Sequence, residues 1–324
     1  MPKTSFIVVN WNGAVYLKEC LDSLLRQSTT DFEIIVVDNG STDNSVSLIR
    51  QEFPNVVLVT LSQNYGFAGG NNRGYQNATG EYIALVNNDA VLDREWLTCM
   101  VETLDANERL GCCASKIIIA GTDKIDSIGD LFTTAFSGTK QGEFEPAENF
   151  QAPRPMHGAC AAAGIYRKKA IEQVGFFDED FFLNHEDTDL NMRIWLAGWK
   201  CLFVPEAIAH HQVNRTIGTM SYTSVYHFSR NTLWVWVKNV PLRFLLLYLP
   251  QRIVYEFFAF ALFCLAHGKW SPYLKGKYDS IKGVPCMIRK RASIVRNLPP
   301  VKIRQELLPI TRHITQKATA LFQK

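Results

Sequence analysis

The first 110 residues alternate between apolar runs typical of β-strands and amphipathic runs typical of helices. The strand-like runs read SFIVVN, FEIIVVD, NVVLVTL and YIALVN, and a helical pattern follows each of the first three. Such alternation predicts an α/β fold with a mostly parallel, doubly wound sheet. In folds of this kind the ligand site lies at the carboxyl ends of the strands.

Three of these strands end in polar side chains, at residues 10–12, 38–41 and 87–89. One polar strand end would be an ordinary turn, but three at one edge of a sheet indicate a shared pocket. Mg²⁺ and Mn²⁺ prefer oxygen ligands and commonly use one or two protein carboxylates together with phosphates. Asp89, at the last of these strand ends, is therefore a candidate metal ligand.

Between residues 110 and 152 the pattern loosens, with Gly, Thr and Ser interspersed, which predicts loops and short strands. Further along, KCLFVPEAIAHHQ predicts a strand that ends in His210 and His211. Either imidazole is a candidate second metal ligand, although a lone histidine is more often structural. YGFAGGNNRG lacks the spacing of dinucleotide and P-loop motifs, so its glycines predict close helix packing or backbone approach to a ligand.

The stretch FFLNHEDTDLNMRIWLAGWK has Glu186, Asp187 and Asp189 soon after apolar residues. Acids in a first helical turn are favoured by the helix dipole, but one cap needs only one carboxylate. Asp189 precedes Arg193 by one turn, which is the spacing of a helical ion pair. Glu186 and Asp187 are the general-base candidates, because burial and a neighbouring carboxylate raise a carboxyl pKa.

Charge is distributed unevenly along the chain. Residues 1–229 carry 17 Lys+Arg and 28 Asp+Glu, a net charge of −11, whereas residues 230–324 carry 17 and 3, a net charge of +14. The second part is dense in aromatic and aliphatic residues, which is typical of helices lying in a membrane interface over anionic lipid. The alternative is an apolar helical subdomain with a solvated basic face.

For this basic part the sequence predicts neither a helix that crosses the membrane nor a nucleic-acid partner. Its longest uncharged run, residues 257–266, is half a bilayer span, so the sequence predicts no transmembrane helix. The chain also contains no helix-turn-helix, zinc-finger or RNA-recognition signature, so we expect no nucleic-acid partner.

Cysteine usage indicates the compartment. Eight scattered cysteines without a CxxC pair are typical of reduced thiols in the cytoplasm rather than of disulfides or a zinc site. The first ten residues hold no signal-peptide apolar run, so the sequence predicts no secretion.

Five motifs occur in order: IVVNWNG, IIVVDNGSTDNS, NYGFAGGNNRG, YIALVNNDA and GFFDEDFFLNHEDTDLNMRIWLAGWK. This set resembles the family 2 inverting glycosyltransferases with the GT-A fold, especially the bacterial rhamnosyltransferase-like branch, over residues 4–238. The resemblance implies a GT-A domain at residues 1–230, with a Rossmann-like, mostly parallel mixed sheet flanked by helices. Residues 231–324 would then form a C-terminal helical, basic and apolar extension at a membrane interface.

The resemblance also implies roles for residues at the strand ends. Trp11 would stack on a pyrimidine with Asn10 beside it, and Asp38 would accept the N–H of the base imide. Asn88 would face the ribose. Asp89 would bind the Mg²⁺ or Mn²⁺ that bridges the diphosphate of a nucleoside-diphosphate sugar.

For the reaction, the resemblance implies Asp187 as the general base, with Glu186 positioning the acceptor or Asp187. His211 falls at the family's metal-ligand histidine, with His210 as the adjacent alternative. The expected activity is metal-dependent, inverting sugar transfer from a dTDP or UDP donor, dTDP-rhamnose in the first instance. The expected acceptor is a polyprenyl-diphosphate-linked saccharide of cell-surface polysaccharide assembly, at the cytoplasmic face of the cell membrane.

Two alternatives stay open. One is a UDP-hexose-dependent transferase that acts on a different acceptor. The other, from a different class of protein, is a catalytically degenerate module that binds sugar or lipid.

Overall fold

A computed structural model of the chain describes residues 1–213, 218, 220–312 and 314–315. Its first part is a set of strand–helix units whose strands are parallel and ordered β3-β2-β1-β4. These elements are β1 Thr4–Asn10, α1 Ala14–Leu25, β2 Phe32–Asp38, α2 Ser45–Glu52, β3 Val57–Thr60, α3 Gly66–Tyr75 and β4 Tyr82–Asn87.

The sheet continues beyond β4 in the order β11-β6-β12-β10, with β11 antiparallel to both of its neighbours and β12 parallel to β6. The elements of this part are β5 Ala90–Leu92, α4 Trp96–Ala106, β6 Leu110–Ile119, β7 Ile125–Ser127, β8 Asp130–Phe132, β9 Gly138–Lys140, β10 Arg154–Met156, β11 Ala163–Arg167, α5 Lys168–Val174, α6 Glu186–Leu196 and β12 Lys200–His211. Short 3₁₀ turns cover Ala147–Asn149 and Glu179–Phe181. The predicted mixed, mostly parallel α/β sheet is confirmed.

One sequence-based expectation for this part was wrong. Loops and short strands were predicted from residue 110, but β6 is a ten-residue strand in the middle of the sheet. Its sequence, LGCCASKIII, is buried over its first eight residues. A strand covered on both faces needs no alternation of polar and apolar residues, so the pattern that identifies half-exposed strands is missing.

Helices cover both faces of the sheet, and alternate residues of each strand enter different cores. On β1, Phe6 and Val8 pack with α1 and α4, whereas Ile7 belongs to the core of the other face. Helix α3 lies very close to that second face. A Cβ atom added at Gly74 would come within 2.5 Å of Ile7, so the glycine-rich motif serves close helix packing here.

The C-terminal part is helical over its described residues. Its elements are α7 Tyr222–Asn239, α8 Leu242–Leu247, α9 Leu249–Phe260 with a π-helical continuation over Ala261–Ala266, α10 Trp270–Arg291 and α11 Pro300–Glu306. The predicted domain boundary at residue 230 lies inside α7, and the division into domains 1–230 and 231–324 stays a prediction. Residues 313 and 316–324 of that predicted extension lie outside the described residues.

The helices α8 and α9 carry an exposed apolar face. It consists of Leu242, Leu246, Leu249, Ile253 and Phe257, each at least 44% exposed. Residues Leu249–Ala266 form one helical stretch of 18 residues with a mean hydropathy of 1.4, of which 28% is buried. By length and composition alone this stretch could cross a membrane, although it includes Arg252 and Glu256.

Candidate active site

The predicted polar strand ends meet at one edge of the sheet. Asn10 pairs with Asp38 between β1 and β2, and Val9 pairs with Asn87 between β1 and β4. Because the three strands are parallel and adjacent, their carboxyl ends open on the same side. Asn88 and Asp89 follow directly after β4.

A hydrogen-bonded set of side chains lines this edge. Asn88 Nδ2 donates to Asn10 Oδ1 over 2.7 Å, and Asn10 Nδ2 donates to Asp38 Oδ1 over 3.4 Å. The backbone N–H of Ser41 donates to the other Asp38 oxygen over 3.1 Å. An ionised carboxylate has about four acceptor positions, so Asp38 keeps capacity for a ligand donor. A Cβ atom at Gly13 would lie 2.1 Å from Asn88 Nδ2 and 2.6 Å from Asn10 Oδ1, so a larger residue there would displace this hydrogen-bonded pair.

Trp11 lies at the mouth of this set, directly after β1, and is 36% exposed. The next residue, Asn12, has a φ of 52° and is held by a bond from its N–H to Ser41 Oγ. Its side chain in turn accepts from the N–H of Thr42 over 2.8 Å. The loop that carries the indole is therefore fixed to the end of β2, and part of the indole stays accessible to a planar ligand.

Asp89 and His211 are in contact although 122 residues separate them. The distance from His211 Nε2 to Asp89 Oδ1 is 3.2 Å, and both side chains are at most one-tenth exposed. The strand pairing explains the contact, since His211 on β12 pairs with Ala90 on β5. The backbone N–H of Gln212 also donates to the Asp89 carbonyl oxygen over 3.1 Å.

Asp126 and Lys140 complete this cluster, and no sequence motif indicated them. His211 Nδ1 lies 3.0 Å from Asp126 Oδ2, and Lys140 Nζ lies 2.7 Å from Asp126 Oδ1. Burial alone would lower the pKa of His211, but hydrogen bonds to Asp126 and Asp89 outweigh it and raise this pKa to about 9. The two carboxylates thus favour a positive charge at the imidazole. Asp126 comes from a three-residue strand, too short to give a pattern.

His210 is not part of this cluster. It lies 3.4 Å from the surface carboxylate Asp93, and its side chain is 40% exposed. Adjacent residues of a strand point to opposite faces, so only one of the two histidines can reach Asp89. Over the described parts of the chain, no group of three or more His, Cys, Asp and Glu side chains has the arrangement of a metal site. The protein would therefore offer a cation two ligands, Asp89 and His211.

Glu186 and Asp187 begin α6. Burial raises the pKa of Asp187. Hydrogen bonds from Thr188 and the charge of Lys140 lower this pKa in part, but the net shift is upward. The Thr188 N–H donates to Asp187 Oδ1 over 2.6 Å. Burial, followed by the charge of Asp187, raises the pKa of Glu186 well above its usual range. Glu186 Oε2 is buried with no hydrogen-bond partner among the described residues.

Asp187 and the Asp89 cluster lie around one segment of chain, just before β11. The N–H of Ala161 donates to Asp187, and the N–H of Asn87 donates to the carbonyl of Ala162 over 2.9 Å. Lys140, which contacts Asp126, also acts electrostatically on Asp187. Lys140 therefore links the candidate base to the cluster that contains the candidate metal ligands.

The loop before α6 is held in an unusual conformation. Phe182, Asn184 and His185 all have φ between 61° and 69°, which is rare for residues other than glycine. Asn231 on α7 donates from Nδ2 to three carbonyl groups of this loop, those of Phe181, Leu183 and Asn184. A side chain of the C-terminal helices thus supports the loop that precedes Glu186 and Asp187. No sequence motif indicated this contact.

Asp189 lies two residues beyond Asp187 and has a different environment. It is fully buried and accepts from Arg193 Nε and Lys238 Nζ, each over 2.9 Å, and from Asn239 Nδ2 over 2.8 Å. Burial would raise the pKa of Asp189, but Arg193 and Lys238 overcome it and lower this pKa to about 2. The predicted ion pair with Arg193 is therefore present within α6. The bonds from Lys238 and Asn239 connect α6 to α7.

Comparison with known proteins identifies the family. The family model described as "Glycosyl transferase family 2" matches residues 5–175, slightly more than half of the chain. The chain belongs to glycosyl transferase family 2. It is a glycosyltransferase, and the resemblance indicated by the five motifs is confirmed.

Two curated relatives of this family 2 glycosyltransferase carry informative names. One, an uncharacterized glycosyltransferase of Nostoc sp., is 35% identical over 60% of this chain, and the match spans 57% of that relative's length. The other, an N-acetylglucosaminyl-diphospho-decaprenol L-rhamnosyltransferase of Mycobacterium tuberculosis, is 25% identical over 65% of this chain and 76% of its own length.

A solved structure supports the GT-A fold of this family 2 glycosyltransferase. The mannosyltransferase PcManGT from Pyrobaculum calidifontis, in complex with GDP-Man and Mn²⁺, superposes with a TM-score of 0.54. The superposition covers 91% of this chain and 85% of that one at 18% sequence identity. At this identity the likeness establishes the fold alone.

Proposed function

We propose that the protein transfers a sugar, with inversion, from a nucleoside diphosphate to the hydroxyl of a lipid-linked saccharide. The observation that supports this proposal is the contact of Asp89 with His211, together with Lys140, which bonds to Asp126 beside His211 and acts electrostatically on Asp187. Asp89 contacts His211, whose imidazole favours the positively charged form. Asp187 has a raised pKa and forms no ion pair among the described residues, which suits proton abstraction.

The donor would lie along the hydrogen-bonded strand ends. Trp11 would stack on the base, Asn10 and Asp38 would hold its polar edge, and Asn88 would face the ribose. Free acceptor positions on Asp38 suit the imide N–H of a pyrimidine. dTDP-rhamnose is the donor we propose first, supported by the rhamnosyltransferase name of one relative.

Asp89 and His211 fit a divalent cation, Mg²⁺ or Mn²⁺. Ligands at right angles on an octahedral ion with bonds of about 2.1 Å are about 3 Å apart, and the two side-chain atoms here are 3.2 Å apart. Asp126 on the second ring nitrogen of His211 is the partner that metal-binding histidines usually have. A cation bound here supplies Lewis-acid stabilisation of the charge on the departing diphosphate.

The chemistry requires one displacement at the anomeric carbon. The acceptor oxygen forms a bond to that carbon while the bond from the carbon to the diphosphate oxygen breaks. Asp187 takes the proton of the acceptor hydroxyl. Glu186, with its raised pKa and its buried Oε2, would position the acceptor or Asp187.

The acceptor and the location follow from the C-terminal helices. Their net positive charge and the exposed apolar face suit the inner face of the cell membrane, with the protein bound peripherally. The decaprenol-linked substrate in the name of one relative supports a polyprenyl-diphosphate-linked acceptor and a place in cell-surface polysaccharide assembly. We also propose the division into a sugar-transferring domain, residues 1–230, and a membrane-interfacial region, residues 231–324.

A donor screen tests this proposal. Purified protein is incubated with Mn²⁺ and dTDP-rhamnose, UDP-galactose or UDP-glucose, and release of nucleoside diphosphate is measured with and without a lipid-linked acceptor. We expect turnover of dTDP-rhamnose. Turnover of a UDP-hexose alone would replace the rhamnose assignment, and nucleotide binding without turnover of any donor would indicate a degenerate binding module.

A further inference from the structure

A cleft opens between α8 and the C-terminal end of α10, away from the candidate active site. Its volume is about 850 Å³. We call it the arginine cleft, and it is lined by Pro241, Leu242, Arg243, Leu246, Ile288, Arg291, Ala292 and Arg296. Three guanidinium groups therefore share one opening with three large aliphatic side chains.

The arginines of this cleft have no acidic partner in the part of the chain that the structure describes. No ion pair involves Arg243, Arg291 or Arg296 there. Arg291 donates to the carbonyl of Val237 over 2.7 Å, and Arg296 donates to the carbonyl of Lys238 over 3.3 Å. Carbonyl bonds fix the two guanidinium groups in place but leave their charge uncompensated.

The positive charges of Arg291 and Arg296 are partly removed from water, which costs free energy when no anion is nearby. Both Arg291 and Arg296 are half-buried, and Arg296 Nε is buried without a hydrogen-bond partner among the described residues. Burial lowers the pKa of both groups, and the charge of Arg291 lowers that of Arg296 further. An anion in the cleft would relieve this repulsion and could accept charge-assisted hydrogen bonds.

The rim of the cleft is apolar and continuous with the exposed apolar face. Leu242 and Leu246 belong to that face and are 71% and 78% exposed, and Ile288 on the opposite wall is 55% exposed. A small soluble anion would leave these side chains in water. An anion attached to hydrocarbon chains would cover them and remove their apolar surface from water.

We propose that the arginine cleft binds the phosphate headgroup of an anionic membrane phospholipid, with its acyl chains along Leu242, Leu246 and Ile288. The inference deepens the proposed membrane location by assigning a defined site to it. Planar guanidinium groups match phosphate geometry in two-pronged contacts, which suits this occupant.

This site is separate from the proposed acceptor site. The segment that carries Arg296 bonds to the C-terminal end of α6, where Asn297 and Leu298 donate to the carbonyl of Leu196, each over 2.9 Å. Asp187 lies at the other end of α6. At a rise of 1.5 Å per residue, the two positions are about 14 Å apart along the helix.

Vesicle sedimentation tests the assignment. Full-length protein is titrated with phosphatidylcholine vesicles with and without phosphatidylglycerol, and the double variant Arg291→Gln/Arg296→Gln is compared with Lys282→Gln/Arg289→Gln. The second pair removes the same charge from exposed positions of α10 outside the cleft. We expect the first pair to weaken binding to the anionic vesicles about tenfold more than the second, because charge-assisted hydrogen bonds are lost.

Equal weakening by both pairs would overturn the assignment in favour of diffuse attraction. A third variant, Arg291→Lys/Arg296→Lys, keeps the charge and should weaken binding less than the glutamine pair does. Displacement of the protein from vesicles by inorganic phosphate alone would identify a free-phosphate site instead. Circular dichroism checks folding, and nucleoside-diphosphate release from the sugar donor, measured in the same samples, separates failure of this site from failure of the proposed transferase.

Discussion

The surroundings of α6 and the arginine cleft differ in whether their buried charges have partners of opposite charge. Around α6 and β12, buried acids and cations contact one another, as Asp189 does with Arg193 and Lys238. In the arginine cleft, Arg291 and Arg296 bond only to carbonyl groups among the described residues. Internally paired charges hold elements together, whereas unpaired ones are left to interact with a ligand.

The same contrast separates two neighbouring carboxylates of α6. Asp189 is bonded to two cations, and its pKa is lowered to about 2. Burial raises the pKa of Asp187. This carboxylate accepts hydrogen bonds from Thr188, whereas Lys140 acts on it only through its charge. Two positions along one helix therefore separate a structural acid from the candidate base.

The largest expected effect is on catalysis through Asp187. Asp187→Asn removes the proton acceptor while keeping the size of the side chain, so sugar transfer should fall about 10²–10⁴-fold. The affinity for nucleoside diphosphate should not change. Steady-state kinetics and calorimetry measure the two quantities, with the exposed Asp123→Asn as the control. An unchanged rate of sugar transfer in this variant would show that Asp187 is not the general base.

The next largest effect is on stability through Asp189. Asp189→Asn leaves Arg193 buried without its carboxylate and removes one of the two carboxylates bonded to Lys238, so the free energy of unfolding should fall by about 3–5 kcal/mol. Denaturant titration measures the loss. Asp22→Asn breaks an exposed ion pair with Lys18 on α1 and should cost below about 1 kcal/mol. Equal losses would show that burial does not distinguish the two pairs.

Acid should destabilise the protein through two buried histidines. Burial lowers the pKa of His157 and of His227 from 6.5 to about 4. The unfolded chain therefore binds more protons than the folded one as the pH falls from 6.5 towards 4, and stability falls with it. Each histidine should account for about 3 kcal/mol. His157→Gln should flatten the pH dependence of unfolding, and an unchanged slope would contradict the assignment.

Asp189 adds to acid sensitivity at lower pH. Its folded-state pKa lies below the unfolded value, so its stabilising contribution is present above about pH 4 and is lost as the pH falls towards 2. In Asp189→Asn, the part of the pH dependence below pH 4 should shrink, while the part between pH 6.5 and 4 should remain.

The smallest of these effects is on metal affinity through Asp126. This carboxylate contacts the second ring nitrogen of His211 and is not itself a proposed metal ligand, and removal of such a partner weakens metal binding about 10–100-fold. Asp126→Asn should therefore shift a Mn²⁺ titration in the presence of UDP, followed by electron paramagnetic resonance. A titration that superposes on that of the unsubstituted protein would show that Asp126 does not orient the ligand.

The sequence predicted the local parts of this architecture well. Strands β2 and β4 cover the predicted runs FEIIVVD and YIALVN, and the three polar strand ends lie at one edge of the sheet. These features depend on short-range patterns and on the regular topology of parallel sheets. The His211–Asp89 contact, by contrast, was expected only because the motifs resemble those of a known family.

Other parts could not be predicted, for identifiable reasons. Strand β6 has no alternation because it is buried. The contact of Asp126 with His211 joins residues 85 positions apart, and the contacts of Asn231 with the loop before α6 span about 50 positions. Such long-range polar contacts depend on the packed fold, and no local sequence pattern encodes them.

The most direct test of whether Asp89 and Asp187 serve one reaction centre is a crystal structure with Mn²⁺ and either UDP or dTDP. The diffraction data should be collected to record anomalous scattering from manganese. We expect one manganese peak bonded to Asp89 and His211, the diphosphate beside it, and Asp187 facing the same cleft. Manganese bound elsewhere, or a nucleotide whose diphosphate lies away from Asp187, would contradict the proposed transfer reaction.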